Sequence, residues 1–143
     1  MVLARHELFH AALSSEAMRG HELDVEELTI SRRGRLIAFG GELDLATSRQ
    51  VRDRLNGAID DGVRRMVIDL ERTEFLDSTA LAAIVGANNR LGGSGRLALV
   101  TPGGYVMLVL RAAGLDHVLP CFETREEAVA FVRGAGRRGQ PQT

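Results

Sequence analysis

Two short stretches carry side chains whose types and spacing could do chemistry. His6-Glu7-Leu8-Phe9-His10 has the H-E-x-x-H form. On a helix, that spacing puts two imidazoles on one face as zinc ligands, with the glutamate as general base. Asp77-Ser78-Thr79 offers a hydroxyl beside a carboxylate, where an apolar strand-like segment gives way to a helical pattern. Its side chains can cap the free N–H groups of a first helical turn. Alternatively, Ser78 can accept a phosphoryl group. Phosphoserine adds about −1.5 to −2 charges at neutral pH, and a helix N-terminus tolerates that charge. The domain would stay folded, while a partner covering the spot would meet repulsion and bulk beside Asp77. Local chemistry leaves both readings of Ser78 open.

The surroundings weigh against the zinc reading. A zinc protease needs a third ligand and a walled cleft, whereas His6–His10 lies before any strand-like segment. No metal is expected. Other enzyme signals are equally thin. His117 stands alone between Asp116 and Val118, and Cys121 follows Leu119-Pro120 as an expected buried structural thiol. A lone cysteine cannot form an internal disulfide, which fits a reducing compartment. Gly92-Gly93-Ser94-Gly95 lacks the G-K-[ST] of a phosphate loop and reads as a helix stop. No nucleophile elbow is present. The chain is expected not to be an enzyme and to need no cofactor.

The elements around Ser78 follow from periodicity. Met66 to Leu70 is a short β-branched run that reads as a buried strand. Glu71 to Glu74 reads as a polar loop before Phe75-Leu76. Leu81, Ile84, Val85, Asn88 and Leu91 then form one helical stripe. Upstream, Val25 to Ser31 alternates as a half-covered strand does, and Arg32-Arg33-Gly34-Arg35 reads as a hairpin turn with Gly34 free to take φ > 0. Leu36 to Gly41 is the return strand, whose two closing glycines allow a bulge. Thr47-Ser48-Arg49-Gln50 has the form of a capping box before a helix carrying Val51, Leu55, Ala58 and Ile59. Arg96 to Val100 is a further strand. Val106, Val109, Leu110 and Ala113 mark a helix, and Val118 to Phe122 a last short strand. Thr124 to Glu127 is a second capping box, opening a helix with Ala128, Phe131 and Val132 inward. Strands and helices alternating after a hairpin predict an α/β fold: a mixed β-sheet of four to five strands with helices packed on it.

The run Asp69-Leu70 through Phe75-Leu76-Asp77-Ser78-Thr79-Ala80-Leu81 resembles the signature of STAS domains, specifically bacterial anti-sigma factor antagonists. Phe39-Gly40-Gly41-Glu42-Leu43-Asp44-Leu45-Ala46-Thr47 resembles that family's G-E-L-D-x-x-T segment. The resemblance covers roughly residues 23 to 132. It departs at Ala80, where the family often has Gly. It implies a protein that binds an ATP-dependent anti-sigma factor kinase and frees a sigma factor. It also implies switching off when the kinase phosphorylates Ser78, and restoration by a phosphatase. The implied partner-binding residues are Asp44, Thr47, Phe75, Leu76, Asp77, Ser78, Thr79 and Leu81. Asp44 and Asp77 would flank the phosphoacceptor. The alternative implied by the same resemblance is an accessory subunit of a lipid-transport ATPase, with the serine as a fixed contact.

Bulk properties agree with a regulator of this kind. At 143 residues, 45% of them hydrophobic, the chain has material for one packed domain. Residues 1–20 are read as an N-terminal extension, with Met18 an alternative start, 21–133 as the STAS domain and 134–143 as a disordered tail. A formal net charge of −1 carries no footprint for nucleic acid. No apolar run is long enough to span a membrane. The expected location is the cytoplasm, and a homodimer stays open.

Overall fold

The computed structural model describes residues 23–101 and 103–134; the H-E-x-x-H stretch and the expected tail from 135 onward lie outside them. Strand β1 (Asp24–Ser31) turns back antiparallel into β2 (Gly34–Leu43). Then follow helix α1 (Ser48–Asp60), β3 (Arg65–Asp69), β4 (Thr73–Leu76), α2 (Ser78–Leu91), β5 (Arg96–Val100), α3 (Gly104–Ala112), β6 (Cys121–Phe122) and α4 (Arg125–Val132). The sheet runs β1-β2-β3-β5-β6, and every pairing except β1–β2 is parallel.

Six strands form where four to five were expected. The additional one is β4, whose first half reads as a polar loop in sequence. Its burial runs in, out, out, in, so no two-residue alternation betrays it. Tertiary geometry creates it. β2 pairs β3 only from Gly34 to Ala38 and extends beyond it, and β4 then takes up Gly41 to Leu43 of the same strand. Gly41, at φ 97°, sits at the register shift between the two pairings, which is the bulge its sequence position allowed.

The strands sort their side chains by parity onto two faces. Ile37, Phe39, Met66, Ile68, Leu97 and Leu99 face one layer, packed with α1, α2 and α3. Leu36, Val67, Ala98 and Val100 face α4, the one described helix on that side, through Ala128 and Val132. Gly34 is needed for a different reason than the turn suggested. Its φ is not positive, but a Cβ there would come within 2.8 Å of Ile30 Cγ1, so the hairpin closes only over a bare backbone.

The helix starts also differ from expectation. Thr47 precedes α1 without capping it. Thr124 does cap α4, accepting the Glu127 N–H at 3.2 Å, while the Glu127 carboxylate accepts from Glu123 N–H at 3.3 Å, one residue before the position a capping box would use. In α3, Val106 and Leu110 are buried, whereas Ala113 lies past the helix end and is exposed. Among the described residues, no helix is long and apolar enough to cross a membrane.

Candidate functional site

The parallel strands deliver their C-terminal ends to one pole, and there the two motif segments meet. Leu43 pairs with Leu76 across β2 and β4, and the Asp77 N–H donates to the Leu43 carbonyl at 3.0 Å. This bond sets the Glu42–Thr47 loop beside the start of α2.

Asp77, not Ser78, is the N-cap of α2. Its Oδ1 accepts from the Thr79 N–H at 3.0 Å, the Ala80 N–H at 3.1 Å and the Thr79 hydroxyl at 2.6 Å. Partial burial alone would raise its pKa. The bonds from the Thr79 hydroxyl and from the N–H groups of Ala80, Thr79 and Leu45 together outweigh burial and hold it below the ordinary carboxylate value. The neighbouring residues then differ sharply. Thr79 spends its hydroxyl on the cap. Ser78, the first residue of the helix, is exposed and makes no side-chain hydrogen bond to the described residues. Ala80 is fully buried, so the methyl group that departs from the family pattern is accommodated in the core.

The Asp44 loop is held just as specifically. Asp44 Oδ1 accepts from the N–H groups of Ala46 at 3.0 Å and Thr47 at 3.2 Å, closing an Asx turn. The Thr47 hydroxyl donates to the Glu42 carbonyl at 2.7 Å and accepts from the Asp44 N–H at 3.0 Å. Thr47, Leu76 and Leu81 are all buried, at 1%, 1% and 8% exposure. Instead of offering contact surface, these three expected partner-binding residues pin the loops from inside. Asp44, Phe75, Asp77 and Ser78 do reach the surface.

Sequence periodicity missed the apolar part of this pole. Phe75 stacks on Tyr105 of α3, with centroids 5.9 Å apart and planes at 16°. Tyr105, Leu108 and Leu45 are exposed, Leu45 at 75%. In α3 the signal was present as apolar residues off the buried Val106/Leu110 stripe, which a search for core positions passes over.

The STAS domain family model matches residues 27–128. The chain belongs to the STAS domain family. This STAS domain is 29% identical over 99 residues to the anti-sigma-F factor antagonist RsfB of Mycobacterium tuberculosis, covering 69% of this chain and 81% of that one. Its fold matches an anti-sigma factor antagonist from Mycobacterium paratuberculosis with a TM-score of 0.74 at 23% identity, covering 79% and 96% of the two chains. It also matches the unphosphorylated form of the anti-sigma factor antagonist SpoIIAA, with a TM-score of 0.66 at 30% identity over 79% and 97%. The phosphorylated form of the Bacillus cell fate determinant SpoIIAA matches at 0.60 and 27%, over 78% and 100%. The mixed six-stranded sheet with helices on both faces is the STAS architecture that the sequence motifs implied.

Outside this pole, the remaining reactive groups have plain roles. The Cys121 thiol is half-buried, donates to the Leu119 carbonyl at 3.2 Å, and is pushed up in pKa by burial. His117 is exposed, with Nε2 3.9 Å from Asp116. Among the described residues no cluster of His, Cys, Asp and Glu could hold a metal ion.

Proposed function

We propose that this STAS domain is an anti-sigma factor antagonist whose activity is switched by phosphorylation of Ser78. One observation carries the reading: the capping duty falls on Asp77, which leaves Ser78 exposed at a helix N-terminus with no side-chain hydrogen bond to the described residues. The names of the relatives support the class of partner, an anti-sigma factor; its being an ATP-dependent serine kinase as well is part of the proposal.

In the transfer, Ser78 Oγ bonds to the γ-phosphorus of ATP. The bond from that phosphorus to the β,γ-bridging oxygen breaks and ADP departs with the electron pair. The hydroxyl proton goes to a base on the kinase. Asp77 is a poor candidate for that base, since its oxygen is already committed to the cap and its pKa is lowered. The phosphate then lies at the positive end of the α2 dipole, while Asp77 keeps the Thr79 and Ala80 N–H groups capped, so α2 remains intact. The docking face of Leu45, Phe75, Asp77, Ser78 and Tyr105 gains about −1.5 to −2 charges beside Asp44 and Asp77. A charge added at such a contact costs about 3 kcal/mol, on the order of 10²-fold in affinity. Unphosphorylated, the protein sequesters the kinase and frees its sigma factor; a phosphatase resets the switch.

The test compares Ser78→Ala and Ser78→Asp baits in the native host by quantitative mass spectrometry, with phosphosite mapping on the wild-type protein. The expected result is an ATP-binding kinase held by the Ala bait, lost from the Asp bait, and phosphate on Ser78. Equal recovery of transport-ATPase subunits on both baits, with Ser78 unmodified, would overturn the switch.

A further inference from the structure

The opposite pole, at the N-terminal ends of the parallel strands, has a different character. Arg32 and Arg33 in the hairpin turn, Arg64 and Arg65 entering β3, and Arg133 after α4 line one cleft of about 340 Å³. Among the described residues no carboxylate lines it. Among the described residues, none of the five guanidinium groups lies within 4.0 Å of a carboxylate oxygen, and the ion pairs formed elsewhere use other arginines. Other surface clefts mix their charges: one brings Asp24, Asp53 and Arg54 together, another Asp24, Glu71, Glu74 and Arg72.

Four of the five arginines are positioned by main-chain carbonyls. Arg33 Nε donates to Gly62 O at 3.3 Å, Arg64 Nη1 to Val63 O at 2.9 Å and Arg65 Nη1 to Val132 O at 3.0 Å, while Arg133 Nη2 donates to Ile30 O. Each bond orients a guanidinium and leaves its charge uncompensated, with further N–H donors to spare. The backbone beneath is tied as well, because the Arg33 carbonyl accepts from both Arg64 N–H at 2.8 Å and Arg65 N–H at 3.0 Å. Ser31 and Ser94 add hydroxyls to the rim. Like charges gathered this closely oppose folding. The arrangement becomes favourable when an anion with several oxygens bridges them, since guanidinium groups take phosphate oxygens in paired bonds.

We propose that this cleft is a binding site for a polyphosphate anion, either free or as the phosphate chain of a nucleotide. Its volume falls at the lower end of small-ligand sites, roughly 300–1,000 Å³. That suits a compact, highly charged group. β2 runs from the cleft at Gly34 to the Ser78 pole at Leu43, about 30 Å at the rise of a strand. The site is therefore separate from the phosphorylation pole and does not depend on its role.

Isothermal titration of the full chain with inorganic tripolyphosphate, and with ATP in parallel, tests it. The wild-type protein is expected to bind one equivalent saturably, more weakly as salt rises. Arg32→Ala/Arg64→Ala is expected to bind at least tenfold more weakly while keeping its circular dichroism spectrum, and Ser78→Asp to bind as wild type. Should the double variant lose its fold, Arg32→Ala alone, whose side chain makes no hydrogen bond to the described residues, is expected to weaken binding at least threefold. ATP binding tighter than tripolyphosphate assigns the site to nucleotides; tripolyphosphate binding at least as tight assigns it to the phosphate chain. No saturable heat with either probe, or binding undiminished in the arginine variants, would overturn the proposal.

Discussion

Arg125 Nε donates to Asp69 Oδ2 at 2.6 Å across 56 residues of sequence. Asp69 is almost wholly buried at the end of β3, with 3% of its side chain exposed. Its Oδ1 accepts the Glu71 N–H at 2.9 Å, and Arg125 reaches onward to Glu26 of β1 at 2.9 Å. Desolvation alone would lower the pKa of Arg125, but its bonds to Asp69 and Glu26 and their negative charges outweigh it and raise the value. A cation at the first position of a helix is unfavourable to the helix dipole. The pair explains its presence there: it anchors α4, the one described helix covering the second face, to two strands.

Removing one partner of this pair should therefore be costly. Arg125→Met leaves a buried carboxylate without its cation and is expected to lower stability by about 3 kcal/mol. Adding Asp69→Leu to that variant is expected to recover most of the loss. Urea unfolding of the two single variants and the double variant measures the coupling, and simple additivity would rule it out.

The Asp77 cap makes a pH-dependent contribution. Asp77→Ala is expected to cost about 1–2 kcal/mol at pH 7. Because the folded pKa lies below the unfolded one, the ionised contribution is complete above the unfolded value near 3.9 and is lost as pH falls through the lower folded value. The stability gap between wild type and variant should thus narrow below about pH 4. A gap of the same size at pH 3 and pH 7 rejects an ionised cap.

Thr47 is a buried pin whose hydroxyl serves the Glu42 carbonyl and the Asp44 N–H. Thr47→Val keeps the shape and removes both bonds. It is expected to destabilise by about 2 kcal/mol and to speed hydrogen exchange at the Asp44 amide, with Thr47→Ser restoring both. Unchanged exchange at Asp44 would contradict the assignment.

The Phe75–Tyr105 stack separates binding from stability. Each ring is partly exposed, at 39% and 44%, so Phe75→Ala or Tyr105→Ala should cost the fold only about 1 kcal/mol. Each is expected to weaken binding to the anti-sigma factor proposed as its partner at least tenfold. Titration calorimetry with that partner reads the second effect, and wild-type affinity in both variants would remove this face from the interface.

Much of the architecture lies in local patterns. β3 and β5 are legible from Met66–Leu70 and Leu97–Val100 because strands buried on both faces need continuous apolar runs. α1 and α2 are legible from stripes that a helix alone can bring to one side. The Asp77-Ser78-Thr79 run already restricts a cap to three residues. Which of them caps, however, depends on the backbone dihedrals at the junction, and these follow from β4 pairing with β2 and from the Asp77–Leu43 hydrogen bond.

The sequence by itself determined the alternation of strands and helices, the STAS motifs and the position of the candidate phosphoacceptor, since each is read from short runs of consecutive residues. Tertiary structure alone decided that Thr47, Leu76 and Leu81 support the site from within and that Phe75 meets Tyr105. It alone gathered Arg32, Arg33, Arg64, Arg65 and Arg133 into one cleft. Burial and charge proximity belong to segments far apart in the chain, and only the parallel register of the sheet brings their ends to a common pole.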